Sequence, residues 1–509
     1  MTCSTMTGIL QGIEGRPVRV EVDLVRRLPR VTVVGLPDGA VRESTERVRS
    51  AIAAAGFEFP RYRVVINLAP ADVRKEGSAL DLPIAMAILG ASGQIPKEAL
   101  KGFFFAGELS LCGRLRSIRG ALSLAMMAKN MGATDLVLPM ACGGQGALVP
   151  DLRVWAAGTL REVADFLCGE GELNPADVPP PEAPVHEVDL SEVRGQPMAR
   201  RALEISAAGG HNLLMVGPPG VGKTMLAARL PTILPRLGYA EALDVTRVHS
   251  VAGLLPDGRG LVTRRPFRAP HHTITAAGLT GGARLIPGEI SLAHCGVLFL
   301  DELPEFSRNT LELLRGPLED RELVLVRAAG RVRFPASCTV VGAANPCPCG
   351  FLGHPTKPCR CTDSQVSRYE SRLSGPLMDR FDLHVSLECV TAEELCSGGA
   401  GENSAVVRER VEAARSLQTR RYQGLRFHSN AELDGGAARR AASLCPAALS
   451  LMRSAVDALS LSGRAHDRVL KVARTIADLA EVSQVQVSHL SEALLFRVPL
   501  RDREALCSA

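Results

Sequence analysis

Aromatic side chains are scarce: 14 Phe, 4 Tyr and one Trp, Trp155, make up 4% of the 509 residues. A nucleic-acid surface built mainly on stacked rings is therefore disfavoured, and any hold on a polynucleotide falls to Arg, Lys and backbone amides. Long apolar runs are missing too. No stretch of about 18 apolar residues could span a bilayer, and the opening MTCSTMTGILQGIEGRPVRV lacks the basic region and apolar run of an export signal. Neither sign of charge dominates. The net charge is +5, and residues 401–509 carry 16 Lys+Arg against 12 Asp+Glu, so most of the excess sits there. That imbalance fits a phosphate-rich partner without demanding one; a solvated helical surface explains it equally well. Fourteen Cys would mean disulfides in a secreted chain. Without an export signal they read as reduced thiols of a cytoplasmic protein, with one cluster reserved for metal.

What is present is ordinary in bulk, with 46% hydrophobic and 22% charged residues, and the chain is too long for one core. Residues 1–168 alternate β-type runs (18–24, 30–36, 62–68) with helical patterns (40–56, 78–92), which predicts a mixed α/β domain. Five prolines within 169–187 predict a semi-rigid linker. From 188 to 395 the pattern is strand, loop, helix, with strand cores NLLMVG, GVLFLDE and CTVVGAAN. Strands apolar on both faces belong in a parallel sheet covered by helices. The break CSGGAGENSA (396–405) opens a C-terminal helical domain, 396–509, whose segments carry the 3.6-residue period.

The chemistry begins with GPPGVGKT: Gly217, Pro218, Pro219, Gly220, Val221, Gly222, Lys223 and Thr224. After an apolar strand and before a helix, this G-x-x-x-x-G-K-[ST] spacing lets backbone amides and a helix N-terminus cradle phosphates. Lys223 can reach the β- and γ-phosphates, and the Thr224 hydroxyl can ligate Mg²⁺. In GVLFLDEL a buried strand ends in two carboxylates, costly unless they meet a cation. Asp301 is expected to orient Mg²⁺ and Glu302 to act as general base. Asn345, ending a third apolar strand, is placed to position water or merely to close the strand. Arg380 in GPLMDRFDL suits an arginine delivered to a neighbouring subunit's γ-phosphate, or a salt bridge to Asp379 or Asp382. Arg464 is suited to reach back to the γ-phosphate from a helix start, with Arg468 as competitor. Such residues imply nucleotide clamped between subunits. Cys347, Cys349, Cys359 and Cys361, two C-x-C pairs nine residues apart, can surround one Zn²⁺, with His354 as a possible substitute ligand.

These motifs resemble one family over nearly the whole chain: the ComM/YifB group of magnesium chelatase-like AAA+ proteins. The strings that carry the resemblance are RPFRAPHHTITAAGLTGGARLIPGEISLAHCGVLFLDELPEF (265–306), AANPCPCG (343–350), SGPLMDRFDLHV (374–385) and GRAHDRVLKVARTIADL (463–479). The resemblance implies a Lon-protease-domain-like α/β domain, a P-loop AAA+ core with a parallel sheet, and an all-helical lid. It implies ATP and Mg²⁺ as cofactors and a hexameric helicase. Such a helicase promotes branch migration of DNA joints in homologous recombination and in integration of transforming DNA. It further implies pore hairpins at 265–288 and 320–337, the second placing Arg321, Arg327, Arg331 and Arg333 at phosphates. Within the first domain, Ser78 falls near the family's nucleophile position, but Leu122 stands where its lysine belongs. A serine without a base cannot be activated, so no peptidase activity is expected. The competing functions are a chelatase motor for metal insertion and a protein-remodelling ATPase; stimulation by DNA separates them from a helicase.

Overall fold

In RPVRVEVDLV the alternation decides which side faces inward: Val18, Val20, Val22 and Leu24 are buried while Arg19 is exposed. The computed structural model, which describes residues 1–180, 187–282, 285–327, 330–390 and 401–497, places this segment in strand β2 (Glu14–Val25). Residues 181–186 of the proline-rich stretch and 396–400 of the later break lie outside the described residues. The first domain adds β1 (Thr2–Gln11), β3 (Arg30–Val34), β4 (Arg63–Ala69), β5 (Phe103–Phe105), β6 (Glu108–Leu109), β7 (Leu115–Arg116), β8 (Asp135–Pro139), β9 (Arg153–Ala157) and β10 (Asn174–Pro175). Its helices are α1 (Gly39–Ala54), α2 (Asp81–Ser92), α3 (Ala121–Asn130), α4 (Met140–Ala147) and α5 (Leu160–Cys168). Eight strands form one mixed sheet in the order β10-β9-β8-β5-β1-β2-β4-β3. Asp38 caps α1 by accepting the Val41 N–H, and Gly56 just beyond it adopts φ +81°, the turn chemistry read from DG and G at those positions.

Two features depart from the sequence reading. β1, in a stretch too rich in Thr, Ser and Gly to announce a strand, runs antiparallel to β2 over ten residue pairs. The start of the proline-rich stretch is structured as well: Pro175 pairs with Trp155, and Leu173 is buried in the domain core. Leu173 pays for packing here because its apolar area leaves water, which a linker could not offer.

The second unit holds β11 (Leu213–Val216), β12 (Phe267–Arg268), β13 (Val297–Leu300), β14 (Glu322–Arg327), β15 (Gly330–Pro335), β16 (Thr339–Ala344) and β17 (Leu383–Ser386). Its helices are α6 (Pro197–Gly209), α7 (Lys223–Ile233), α8 (Tyr239–Ala252), α9 (Ala276–Thr280), α10 (Glu289–Leu292), α11 (Arg308–Glu312), α12 (Arg315–Asp320), α13 (Asp363–Glu370) and α14 (Gly375–Met378). Five strands form an all-parallel sheet, β12-β13-β16-β11-β17, whose β13 and β16 residues are all buried. β14 and β15 form a separate antiparallel hairpin.

The helical end comprises α15 (Ser404–Arg421), α16 (Gly435–Ala442), α17 (Pro446–Leu459), α18 (Gly463–Leu479) and α19 (Val487–Leu495). Val411 of α15, Ile205 of α6 and Val472 of α18 share one hydrophobic core with the sheet. A buried polar network fastens the junction. His211 Nδ1 meets Asp382 at 3.1 Å, Arg468 donates to the other Asp382 oxygen at 2.8 Å, and His211 Nε2 meets Thr475 at 2.8 Å. The first domain also seats on the second: Ile13, in the β1–β2 turn, is buried in the same cluster as Leu325, Val332 and Phe334 of the hairpin. Tyr239 donates to the Leu148 carbonyl at 3.0 Å, and Ser250 to Gln145 at 2.7 Å. Among the described residues no helix is long and apolar enough to cross a membrane.

Candidate active site

β11 delivers the chain to the carboxyl edge of the parallel sheet, where α/β folds place ligands. A Cβ on Gly217 would sit 2.8 Å from Leu387, and Gly220 and Gly222 adopt φ +83° and +92°, so the loop can close only with glycines there. α7 starts at Lys223, directing its free N–H groups and positive dipole end into the loop. The Lys223 ammonium donates to the Gly217 carbonyl at 2.6 Å, the Pro218 carbonyl at 3.0 Å and Asn345 Oδ1 at 2.9 Å. Burial pulls its pKa below the ordinary lysine value, with Asp301 and Glu302 opposing that shift. Thr224 donates to Asp301 Oδ2 at 2.8 Å, so a hydroxyl and a carboxylate converge as a magnesium site requires. Lys223, Thr224, Asp301 and Asn345, distant in sequence, thus meet at one sheet edge.

Glu302 follows in the left-handed conformation (φ +50°) and stays half exposed. Its carboxylate lies 3.3 Å from Nδ1 of His272, whose ring packs against His271 at 4.1 Å between centroids. The sequence reading quoted this His pair without giving it a role. The signal available was a polar HHT directly after an edge strand next to β13. The expected hairpin at 265–288 instead comprises edge strand β12 and helix α9, closed by a bridge between Gly281 and Pro287.

Arg380 and Arg464 lie elsewhere. Together with Arg468, Asp382 and Lys471 they line a cleft of about 660 Å³ to which no P-loop residue contributes. Arg380 is buried, held by Glu319 and the carbonyls of Pro376 and Arg315 rather than by Asp379 or Asp382. Arg464 is exposed at the start of α18. The reach back to the protomer's own γ-phosphate is therefore not the arrangement seen. Asp382 and His211 pin the start of α18 beside Arg380.

The four cysteines converge, with Sγ separations of 3.4 Å for Cys347–Cys349 and 3.6 Å for Cys347–Cys359 and Cys349–Cys359. All four sulfurs lie within 4.8 Å of one another. A tetrahedron with metal–sulfur bonds of about 2.3 Å has edges of about 3.8 Å, so this cluster can hold a metal ion. Backbone N–H groups of Arg360 and Phe351 hold the Cys349 thiol down at about 6, while contacts with the neighbouring sulfurs raise Cys359 and Cys361, so the cluster favours one thiolate until a cation joins it. His354 stands apart: Nδ1 accepts from the N–H groups of Thr356 and Lys357, and Nε2 contacts Cys389 at 3.3 Å. Gly350 packs on Pro219 of the P-loop, where a Cβ would come within 2.6 Å.

On the hairpin, Leu323, Leu325, Val332 and Phe334 face inward, while Val324, Val326, Arg331 and Arg333 are exposed on the other face. Arg327 is exposed toward the tip. Arg321 is different: it ends α12, bonds Ser337 and Glu432 at 3.1 Å each, and lines the arginine cleft.

This P-loop, carboxylate pair and all-parallel sheet define a nucleotide hydrolase of the AAA+ class. Models of magnesium chelatase subunit ChlI match residues 20–142 and 189–395, and a model of its C-terminal part matches 401–497. The competence protein ComM of Haemophilus influenzae is 42% identical over 499 residues, 96% of each chain. YifB of Escherichia coli, an uncharacterized protein, is 42% identical over 498 residues, covering 96% of this chain and 95% of its own. An MCM-type protein of Methanocaldococcus jannaschii is 22% identical over 208 residues, 38% of this chain and 24% of its own. The chain belongs to the ComM/YifB family of magnesium chelatase-like AAA+ ATPases.

Proposed function

We propose that six copies of the protein close a ring, and that ATP hydrolysis at each subunit boundary drives branch migration of DNA joints in homologous recombination and in integration of transforming DNA.

 

It is then a hexameric, DNA-translocating ATPase of the cytoplasm. ATP binds along Gly217–Thr224, and Thr224 and Asp301 would hold the Mg²⁺ that neutralises charge on the β- and γ-phosphates. Glu302 takes the proton of the attacking water, with Asn345 orienting it. Arg380 and Arg464 come from the adjacent subunit. One observation supports this reading: the cleft that holds Arg380 and Arg464 is lined by no P-loop residue, as expected if these arginines complete the site of a second copy. The relatedness to a competence protein and to an MCM-type protein supports DNA as the substrate. The exposed arginines of the hairpin, Arg327, Arg331 and Arg333, are then the contacts to phosphates, and Arg321 belongs to the subunit boundary. We assign Zn²⁺ to the four cysteines as a structural ion. The N-terminal domain acts as a non-proteolytic collar: Ser78 is bonded to Glu108, and Leu122 is fully buried. The test is ATP-driven migration of a synthetic four-way DNA joint, with Glu302→Gln as the control. ATPase activity that ignores every form of DNA refutes the reading.

A further inference from the structure

We propose that the free end of the N-terminal sheet is a second nucleic-acid contact, one that grips the phosphate backbone of a single strand; the proposal rests on the DNA reading above. Strand register sets Val25, Arg63 and Arg30 in one row across β2, β4 and β3. The β2–β3 connection brings Arg26 and Arg27 to the same end, and Arg61 leads into β4. Arg26, Arg27, Arg30 and Arg61 are exposed, and Arg63 is partly so. Among the described residues none of these five has a carboxylate partner, and Nε of Arg63 is buried with no hydrogen-bond acceptor. Three other arginines of this domain are paired: Arg47 with Asp81, Arg153 with Asp135 and Arg161 with Asp165. The carboxylate two residues before Val25, Asp23, is engaged by the Met1 ammonium at 3.2 Å. Glu58, exposed in the connection from α1 to β4, subtracts one charge.

Five guanidinium groups at one sheet end repel one another, and a buried N–H without an acceptor costs free energy. A row of phosphates relieves the repulsion, because each guanidinium presents a planar fork that matches phosphate oxygens. Two exposed side chains favour a nucleic acid over an acidic protein. Tyr62, 45% exposed between Arg61 and Arg63, offers a ring to an unstacked base, and Leu28, 88% exposed, extends the apolar rim. The position matters as well. β2 has 12 residues, so its two ends lie about 36 Å apart. The far end, at Ile13, underlies the hairpin that carries Arg331 and Arg333. One strand can therefore be held at two stations of the same protomer.

The experiment is fluorescence anisotropy of the full-length protein with labelled single-stranded oligonucleotides over a range of salt. One oligonucleotide is long enough to cover both stations and one covers only a single station. For the Arg27→Ala/Arg30→Ala/Arg61→Ala variant, affinity for the long strand should fall about tenfold and the salt slope should shrink by about 2. Basal ATPase without DNA should stay unchanged, and Tyr62→Ala should weaken the long strand only. Unchanged affinity and slope, beside a weakened Arg331→Ala/Arg333→Ala variant, overturns the patch and leaves the proposed function standing. A triple variant that loses its oligomeric state overturns it too, since the patch is then a subunit contact. Polyglutamate competing as well as the oligonucleotide also overturns it. Loss of binding in the triple variant, with a wild-type ATPase that no DNA stimulates, supports the patch while refuting the motor.

Discussion

Glu302 is aimed by a backbone that few residues adopt, and its carboxylate is shared with His272. Three outcomes follow at this scale. Lys223→Ala removes the cation of the glycine loop and should abolish binding of a fluorescent ATP analogue. Glu302→Gln keeps binding while phosphate release falls by about 100-fold or more. His272→Ala frees the base from its neighbour. Basal hydrolysis should rise severalfold and stimulation by DNA should shrink; an unchanged ratio of stimulated to basal turnover would show that the His272 contact does not govern Glu302. Lys223, Thr224, Asp301 and Asn345 were legible as candidates because each closes a short string whose physics is local: glycines before a helix, or acids ending a buried strand. His272 was not legible, since its partner lies 30 positions away and only the pairing of β12 with β13 brings them together.

Among the elements, the cysteine loop packs on the P-loop through Gly350 and Pro219. Cys359→Ser/Cys361→Ser should lose about one metal ion per chain by elemental analysis and lower the melting temperature, because ion binding is coupled to ordering of the loop. The joint at His211 and Asp382 sets a pH dependence. Asp382 is held well below the usual carboxylate range: burial alone would raise it, but His211 and Arg468 outweigh that. Burial lowers His211 below its ordinary 6.5. A depressed histidine stabilises the fold above the unfolded value, so stability should decline as pH falls through about 6.5. A depressed carboxylate adds a further loss below about 4. Thermal melts across pH should show both losses, and Asp382→Asn should shrink the lower one, to which other depressed carboxylates such as Asp189 also contribute. The spacing of charged and apolar residues in α18 announced a helix, but not that this network turns its start toward Arg380. Strand β1 escaped for a related reason: Thr, Ser and Gly interrupt its apolar alternation, and only pairing with β2 fixes it.

For the molecule as a whole, no P-loop residue lines the arginine cleft, and the proposed function therefore assigns that cleft to a neighbour's nucleotide. Subunits carrying Arg380→Ala, mixed with subunits carrying Lys223→Ala, should recover part of the ATPase that each lacks alone. No recovery in mixed assemblies would remove the arginine from the neighbour's site. Proline and glycine punctuation marked where the sequence was expected to divide, at 169–187 and 396–405. Their docking was not, because it depends on single side chains such as Ile13 and Tyr239 that no periodicity marks.

Ile13 has a mechanical consequence. Because its side chain is wedged beneath Val332 and Phe334, the β-hairpin has no free underside on which to pivot. Under the proposed function, a stroke that tilts the hairpin would have to drag the N-terminal sheet along as a lever or expose Ile13 to water, so the first domain would set how far each stroke can travel.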